Sequence, residues 1–203
     1  VSPAVLIPRP ETEELVEWIL SDVRKPKTSI EGLQIIDIGT GSGCIPISLK
    51  KNLPEAQLFA VDISREALDV SIQNAALNQT KVNFIQADIL NLLNKQLMAE
   101  KFGIIVSNPP YVTDAEKEQM LPNVLQHEPH LALFVPDNDP LIFYKAIADF
   151  AIKHLDTNGS LYLEINENLG EETVQLLKQK GFKKIELRQD LSGKDRMIRS
   201  QIH

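Results

Sequence analysis

Four short apolar runs, each stopping at a small or acidic polar residue, limit what this chain can fold into. Gln34–Ile38 runs into Asp37-Ile38-Gly39-Thr40-Gly41-Ser42-Gly43, Leu58–Val61 stops at Asp62, Val82–Ile85 stops short of Asp88, and Gly103–Val106 stops short of Asn108. Runs this short, rich in Ile and Val, read as strands rather than buried helices. Between and around them lie segments with helical spacing. Pro10 with Glu11, Glu13 and Glu14 opens a helix, since Pro suits the first turn and acids suit its dipole. Leu15, Val16, Ile19, Leu20 and Val23 carry that helix's apolar stripe. Ile45–Lys51 predicts a second helix. Ser64–Leu77 predicts a third, with Ser64 as N-cap and Ala67, Leu68, Ile72, Ala75 and Ala76 turned inward.

The alternation continues with a helix over Pro140–Leu155, a strand over Gly159–Ile165, and a helix over Glu171–Lys180 closed by Gly181. The last strands, Lys183–Leu187 and Arg196–Ile202, are separated by too few residues for a helical crossover and should pair antiparallel. The pattern predicts an α/β fold: a Rossmann-like, seven-stranded, mostly parallel sheet with an antiparallel last strand and helices on both faces. Pro26–Gly32 reads as a linker. Thr113–Asn138, with Pro122, Pro129 and Pro136, reads as a long irregular loop beside a strand end, where function concentrates. One domain over residues 1–203 is expected. The chain begins at Val1 rather than Met, so it is read as part of something longer that carries a further N-terminal domain.

In such a sheet ligands bind at the carboxyl ends of the strands, and the polar residues named above all fall there. Gly39, Gly41 and Gly43, with Thr40 and Ser42, form a loop whose backbone can approach a ligand closely. Asp62, with Ile63 behind it, stands where a carboxylate can hold two ribose hydroxyls. Asp88 and Ile89 suit an adenine ring and its amine. The same outline fits a dinucleotide enzyme, but the glycine spacing is G-x-G-x-G rather than G-x-G-x-x-G. An acidic rim also suits the sulfonium of S-adenosyl-L-methionine better than a pyrophosphate. Asn108-Pro109-Pro110-Tyr111 then supplies a carboxamide, a stiff turn and a ring. Asn108 and the Pro109 carbonyl can accept the two N–H bonds of a planar NH2 group, and Tyr111 can lie against it, so that catalysis rests on orientation.

Composition narrows the classes. A net charge of −7 and 24% charged residues argue against a dedicated nucleic-acid binder. Lys178, Lys180, Lys183 and Lys184 read as a solvated helix end and turn. No apolar run reaches the length of a membrane span. The single cysteine, Cys44, excludes an internal disulfide and fits a reducing cytoplasm; it reads as a buried thiol without a catalytic role. No Cys/His cluster has metal-ligand spacing, and His127 and His130 read as surface loop residues.

Several segments together resemble one family. They are Ile7-Pro8-Arg9-Pro10-Glu11-Thr12-Glu13, the glycine loop, Val61-Asp62-Ile63-Ser64, Ser107-Asn108-Pro109-Pro110-Tyr111-Val112, Glu128-Pro129 with Ala132-Leu133, and Asp190-Leu191-Ser192-Gly193-Lys194-Asp195-Arg196. The chain is similar along nearly its whole length to the peptide-chain release factor glutamine N5-methyltransferases. That resemblance implies methyl transfer from S-adenosyl-L-methionine, leaving S-adenosyl-L-homocysteine, to the glutamine of a Gly-Gly-Gln motif in class I release factors. It implies that Gly39–Gly43, Asp62, Ile89 and Asn108 contact the cofactor, that Asn108–Tyr111 hold the glutamine, and that Arg9–Glu13 sits nearby. Three places depart from the family pattern: Val135-Pro136-Asp137-Asn138-Asp139-Pro140, where the family has a glycine-rich turn and Asp-Gly; Glu164-Ile165-Asn166, where the family has glycine third; and Leu169, where the family has Gln. The rival readings are a nucleic-acid amino-methyltransferase (adenine N6 or guanine N2), which shares Asn-Pro-Pro-Tyr, and a catalytically silent Rossmann-like binding module.

Overall fold

The computed structural model describes residues 3–25, 31–91, 97, 100–113, 115–119 and 128–202. Pro122, His127 and most of the 26–32 linker lie outside the described residues. Seven strands form one sheet: β1 (Gln34–Ile38), β2 (Gln57–Asp62), β3 (Asn83–Gln86), β4 (Phe102–Ser107), β7 (Leu155–Glu164), β8 (Lys183–Gln189) and β9 (Asp195–Gln201). Their order is β3-β2-β1-β4-β7-β9-β8. The pairs β1–β2, β1–β4, β2–β3 and β4–β7 are parallel. Strand β9 runs antiparallel to both its neighbours, because a tight turn joins it to β8, whereas helices carry the chain back between parallel strands. The last strand is therefore antiparallel, as its sequence predicts.

Among the described residues five helices flank the sheet: α1 (Pro10–Val23), α2 (Cys44–Asn52), α3 (Arg65–Leu77), α4 (Ile142–His154) and α5 (Gly170–Gln179). Residues alternate across each strand. Ile35, Leu58, Ile104, Val106, Tyr162 and Met197 pack with α1 and α2 on one face. Ile36, Ile38, Val61, Ile105, Leu161, Leu163 and Ile198 pack with α4 and α5 on the other. Helix α1 is pinned by Trp18, which lies edge-on to Tyr162 and beneath Arg188. Asp22 accepts hydrogen bonds from Tyr162 Oη (2.7 Å) and Arg199 Nη1 (2.6 Å). Among the described residues no helix is long and apolar enough to cross a membrane.

Some expectations need correction. Ser64 does cap α3, accepting from Ala67 N at 3.1 Å, but Ile72 and Ala76 face outward and Ser71 takes the inner position. Ala67, Leu68, Ser71 and Ala75 hold the buried stripe, and the 3.6-residue period carries positions 72 and 76 past its edge. Strand β7 starts earlier than Gly159, and its register with β4 breaks between Phe102 and Ile104. The 113–138 segment is not wholly irregular: β5 (Val112–Thr113) and β6 (Phe134–Val135) form a small parallel pair.

Sheet register sets the site. Ile38 pairs with Ser107 and with Val61, and Asp62 pairs with Gln86. The residues after these strands, Gly39, Asn108 and Ala87, therefore emerge level with one another beside Asp62. The strand order reverses between β1 and β4, the place where open α/β sheets open a crevice. Ser107 Oγ donates to the Ile38 carbonyl at 2.6 Å and locks this junction.

Gly43 begins α2 at φ +79°, and a Cβ there would stand 2.9 Å from Ser71 Cβ and 3.1 Å from Ile47 Cδ1. An alanine would meet both a left-handed backbone and a packed helix. Gly43→Ala is expected to cost about 2–4 kcal/mol and to lower Tm by roughly 4–16 °C. A melting temperature equal to wild type would contradict this close α2–α3 packing.

Candidate functional site

One cavity opens at the carboxyl edge of the sheet. It is lined from the sheet side by Gly39, Thr40, Gly41, Ser42, Asp62, Ile63, Ser64, Asp88, Ile89, Asn108, Pro109 and Pro110. The register described above brings these residues together from four loops. Two segments complete the wall: Ala4, Val5, Leu6, Pro8 and Thr12 from the N-terminal side, and Pro129, Leu131 and Ala132 from the loop before β6. Arg9 Nη2 bonds Glu128 Oε1 at 2.6 Å, with the Glu128 side chain buried, and so ties these two segments together.

The glycine loop is turned inward on itself. Gly39 N and Thr40 N donate to the Val61 carbonyl, and Gly43 N donates to the Thr40 carbonyl. Gly41 N donates to Asp62 Oδ2 at 2.8 Å, and Asp62 Oδ1 accepts from Ser64 N at 2.9 Å. A pyrophosphate needs such N–H groups free at a helix N-terminus; here they are already engaged. Asp62 keeps unused lone pairs on both oxygens for hydroxyl donors. Burial pushes its carboxyl above the ordinary range, while the Gly41 and Ser64 N–H groups pull it back. Asp88 Oδ1 accepts from Leu90 N at 2.9 Å, leaving its second oxygen toward the cavity rim.

Beneath this loop lies Asp37, fully buried, with no well-formed hydrogen bond to either carboxylate oxygen among the described residues; the buried Thr40 hydroxyl stands near it and pulls its carboxyl down against the larger effect of burial. Burial pushes the Asp37 carboxyl up to about 7. An uncompensated buried acid is costly, and a cation in the cavity above would relieve it. No Lys or Arg stands among the described residues that line the cavity. Cys44 is half-buried on the cavity wall rather than fully buried as its sequence suggests; desolvation pushes its thiol up to about 11, so it stays protonated.

The Asn-Pro-Pro-Tyr segment is held from behind. Asn108 Nδ2 donates to Thr12 Oγ1 at 3.1 Å, and Thr12 Oγ1 donates to Glu164 Oε2 at 2.7 Å. Tyr111 Oη donates to Glu164 Oε1 at 3.2 Å. Glu164 is 1% exposed, and its burial raises its carboxyl above the ordinary range against the pull of Thr12, Tyr111 and Arg196. Asn166 Nδ2 donates to the Tyr111 carbonyl at 3.0 Å and to Glu116 Oε2 at 2.9 Å. The asparagine at this departure from the family pattern is thus a tether between β7 and the Tyr111 turn.

Most sequence-predicted residues meet at the cavity, with two exceptions. Gly43 is not on its wall, because it packs against α3. Tyr111 is not on it either: its ring packs on the core and its hydroxyl is drawn to Glu164. Its hydroxyl anchors the segment to β7. His130 is exposed and stands edge-on to Phe134. Among the described residues no cluster could hold a metal ion. Sequence reasoning gave no role to Asp37 or Glu164, and placed Thr12 near the site only as part of the Arg9–Glu13 segment; Thr12 itself stands on the cavity wall. A signal existed for Glu164: in Leu161-Tyr162-Leu163-Glu164-Ile165 an acid sits in an apolar strand, on the same face as Tyr162 and α1.

The chain matches the family model described as the methyltransferase small domain over residues 17–132. It is 53% identical to a release factor glutamine methyltransferase of Flavobacterium psychrophilum, over 98% of this chain and 68% of that protein. It is 44% identical to one of Bacteroides thetaiotaomicron over the same shares. Its fold resembles that of a ribosomal protein L11 methylase from Lactobacillus delbrueckii subsp. bulgaricus, with a TM-score of 0.65, 21% identity, and coverage of 96% of this chain and 81% of that one. The sheet is that of a class I methyltransferase, and with relatives of this identity over nearly its whole length the chain belongs to the release factor glutamine methyltransferase family.

Proposed function

We propose that this chain transfers a methyl group from S-adenosyl-L-methionine to the side-chain amide nitrogen of the glutamine in the Gly-Gly-Gln motif of class I peptide chain release factors. The observation that carries the reading is the cavity at the β1/β4 junction, where an acid-rimmed glycine loop, with the Gly39, Thr40, Gly41 and Gly43 N–H groups bonded within the fold, stands beside Asn108 and Pro109. Family membership supports the methyl-transfer chemistry and the choice of a protein amide over a nucleobase. The net charge of −7 points the same way.

The residues fit the cofactor. Asp62 has lone pairs for ribose hydroxyls. Asp88 and Ile89 offer a carboxylate and an apolar contact to a base, and the buried Asp37 favours a cation. When bound, S-adenosyl-L-methionine supplies the electrophilic methyl. The chain's part is to hold the substrate amide. Asn108 Oδ1 and the Pro109 carbonyl accept its two N–H bonds, which turns the face of the nitrogen toward the methyl. An amide nitrogen becomes acidic once alkylated, so no strong base is needed first, and catalysis is orientation in a desolvated pocket. Pro109 is buried and Pro110 follows it, so the acceptor is stiff. The setting inferred for this reaction is the cytoplasm, in translation termination.

A transfer assay offering a class I release factor beside DNA and ribosomal RNA tests the reading. Methyl is expected on the release factor alone; labelling of nucleic acid only would reject it. Asn108→Ala should lose at least ~100-fold in kcat while its melting temperature stays near wild type. A fully active Asn108→Ala enzyme would remove the assigned role.

Asp37 gives a pH prediction. An unfolded aspartate ionises near 3.9, while in the fold Asp37 is pushed up to about 7. Between these values the folded chain keeps a proton that the unfolded chain has released, so Asp37 makes the cofactor-free protein less stable as pH rises from about 4 to about 7. Asp37→Asn should remove that slope and raise stability at pH 8 by up to ~4 kcal/mol, while weakening S-adenosyl-L-methionine binding about tenfold or more. Equal stability differences at pH 5 and pH 8 would show that Asp37 does not titrate in this way.

A further inference from the structure

The reaction proposed above requires Asn108 to present its carbonyl oxygen, not its NH2, to the substrate amide. The two ends of a carboxamide have nearly the same shape, so something must select one orientation. An ionised carboxylate only accepts hydrogen bonds. Glu164, buried at the end of β7, receives Tyr111 Oη on Oε1 and Thr12 Oγ1 on Oε2. Thr12 has one hydroxyl proton, and it is spent on Glu164. Only lone pairs of Thr12 Oγ1 remain toward Asn108, and these can meet the NH2 but would repel the carbonyl. The bond found is Asn108 Nδ2 to Thr12 Oγ1 at 3.1 Å. Among the described residues Asn108 Oδ1 carries no hydrogen bond, and Asn108 lines the cavity.

We infer that Thr12 and Glu164 are positioning residues for methyl transfer: the carboxylate fixes the direction of the Thr12 hydroxyl, and that hydroxyl fixes the orientation of the Asn108 amide with its oxygen available to the substrate. This rests on the proposed function for its consequence in catalysis, but not for the lock itself. The chain of donors is directional from end to end, so a change at Thr12 alters Asn108 without touching the cofactor loop. Thr12 lies in the first turn of α1, whose far end is anchored by Asp22 to Tyr162 and Arg199. Tyr162 and Glu164 lie on the same face of β7. One strand face therefore holds both ends of the helix that carries the lock.

Thr12→Val keeps the side-chain shape and removes the hydroxyl. In the release factor assay it should lower kcat about 10–100-fold, with S-adenosyl-L-methionine affinity and melting temperature near wild type. Thr12→Ser should restore kcat to within a few fold. A purely structural role would not separate Ser from Val in this way. In nitrogen-15-labelled full-length protein without substrate, the Asn108 side-chain NH2 protons should exchange slowly with solvent in wild type and Thr12→Ser, and fast in Thr12→Val. Thr12→Ala serves where Thr12→Val does not fold. Unchanged Asn108 exchange in the hydroxyl-free variant, or kcat within twofold of wild type, overturns the proposal. If wild type methylates no release factor, the proposed function fails, while the exchange measurement still decides the lock.

Discussion

The Glu164 carboxylate is the constraint around which the rest of the site is arranged. It sits on the α1-facing side of a central strand, away from water, and draws together parts of the chain that share no local geometry. Thr12 comes from the first turn of α1, Tyr111 from the turn after β4, and Arg196 adds its charge from β9. Burying a carboxylate among hydroxyls is expensive, and an apolar residue there would suit the core better. Its retention makes sense as specification of hydrogen-bond direction, which apolar packing cannot supply.

The cofactor side is governed by a different economy. The glycine loop gives its N–H groups to the Val61 and Thr40 carbonyls and to Asp62, so the loop is rigid before anything binds. A preformed loop with acids at its base and rim, and no basic residue among the described cavity residues, disfavours anions, which is consistent with the cationic, hydroxyl-bearing cofactor proposed. The cost is carried by Asp37, whose buried carboxylate makes no well-formed hydrogen bond among the described residues. Such a group is an expected departure from stability at a functional site.

How far the sequence could be read depended on the range of each interaction. Strands β1, β2 and β4 were legible because parallel strands are covered on both faces and show as continuous apolar runs. The antiparallel end was legible from the shortness of the β8–β9 connection. The pair β5–β6 was not, because two residues carry no period. The outward turn of Ile72 and Ala76 was not, because the limits of a helix's buried arc are set by its neighbours. Tyr111 was placed against the substrate on the strength of its position in the motif, whereas its hydroxyl is claimed by an acid 53 positions away.

By itself the sequence determined the class of fold, the edge of the sheet that carries the site, and the residue types that meet there, since these follow from local periodicity and from where each strand must stop. The family followed as well, because its motifs are contiguous. Tertiary structure alone decided which end of the Asn108 amide faces the cavity, that Gly43 packs a helix while Gly41 bonds Asp62, and that Thr12 and Glu164 stand together across 152 positions. Hydrogen-bond direction belongs to the whole network of donors and acceptors, and no stretch of chain contains that network until the sheet has brought its ends together.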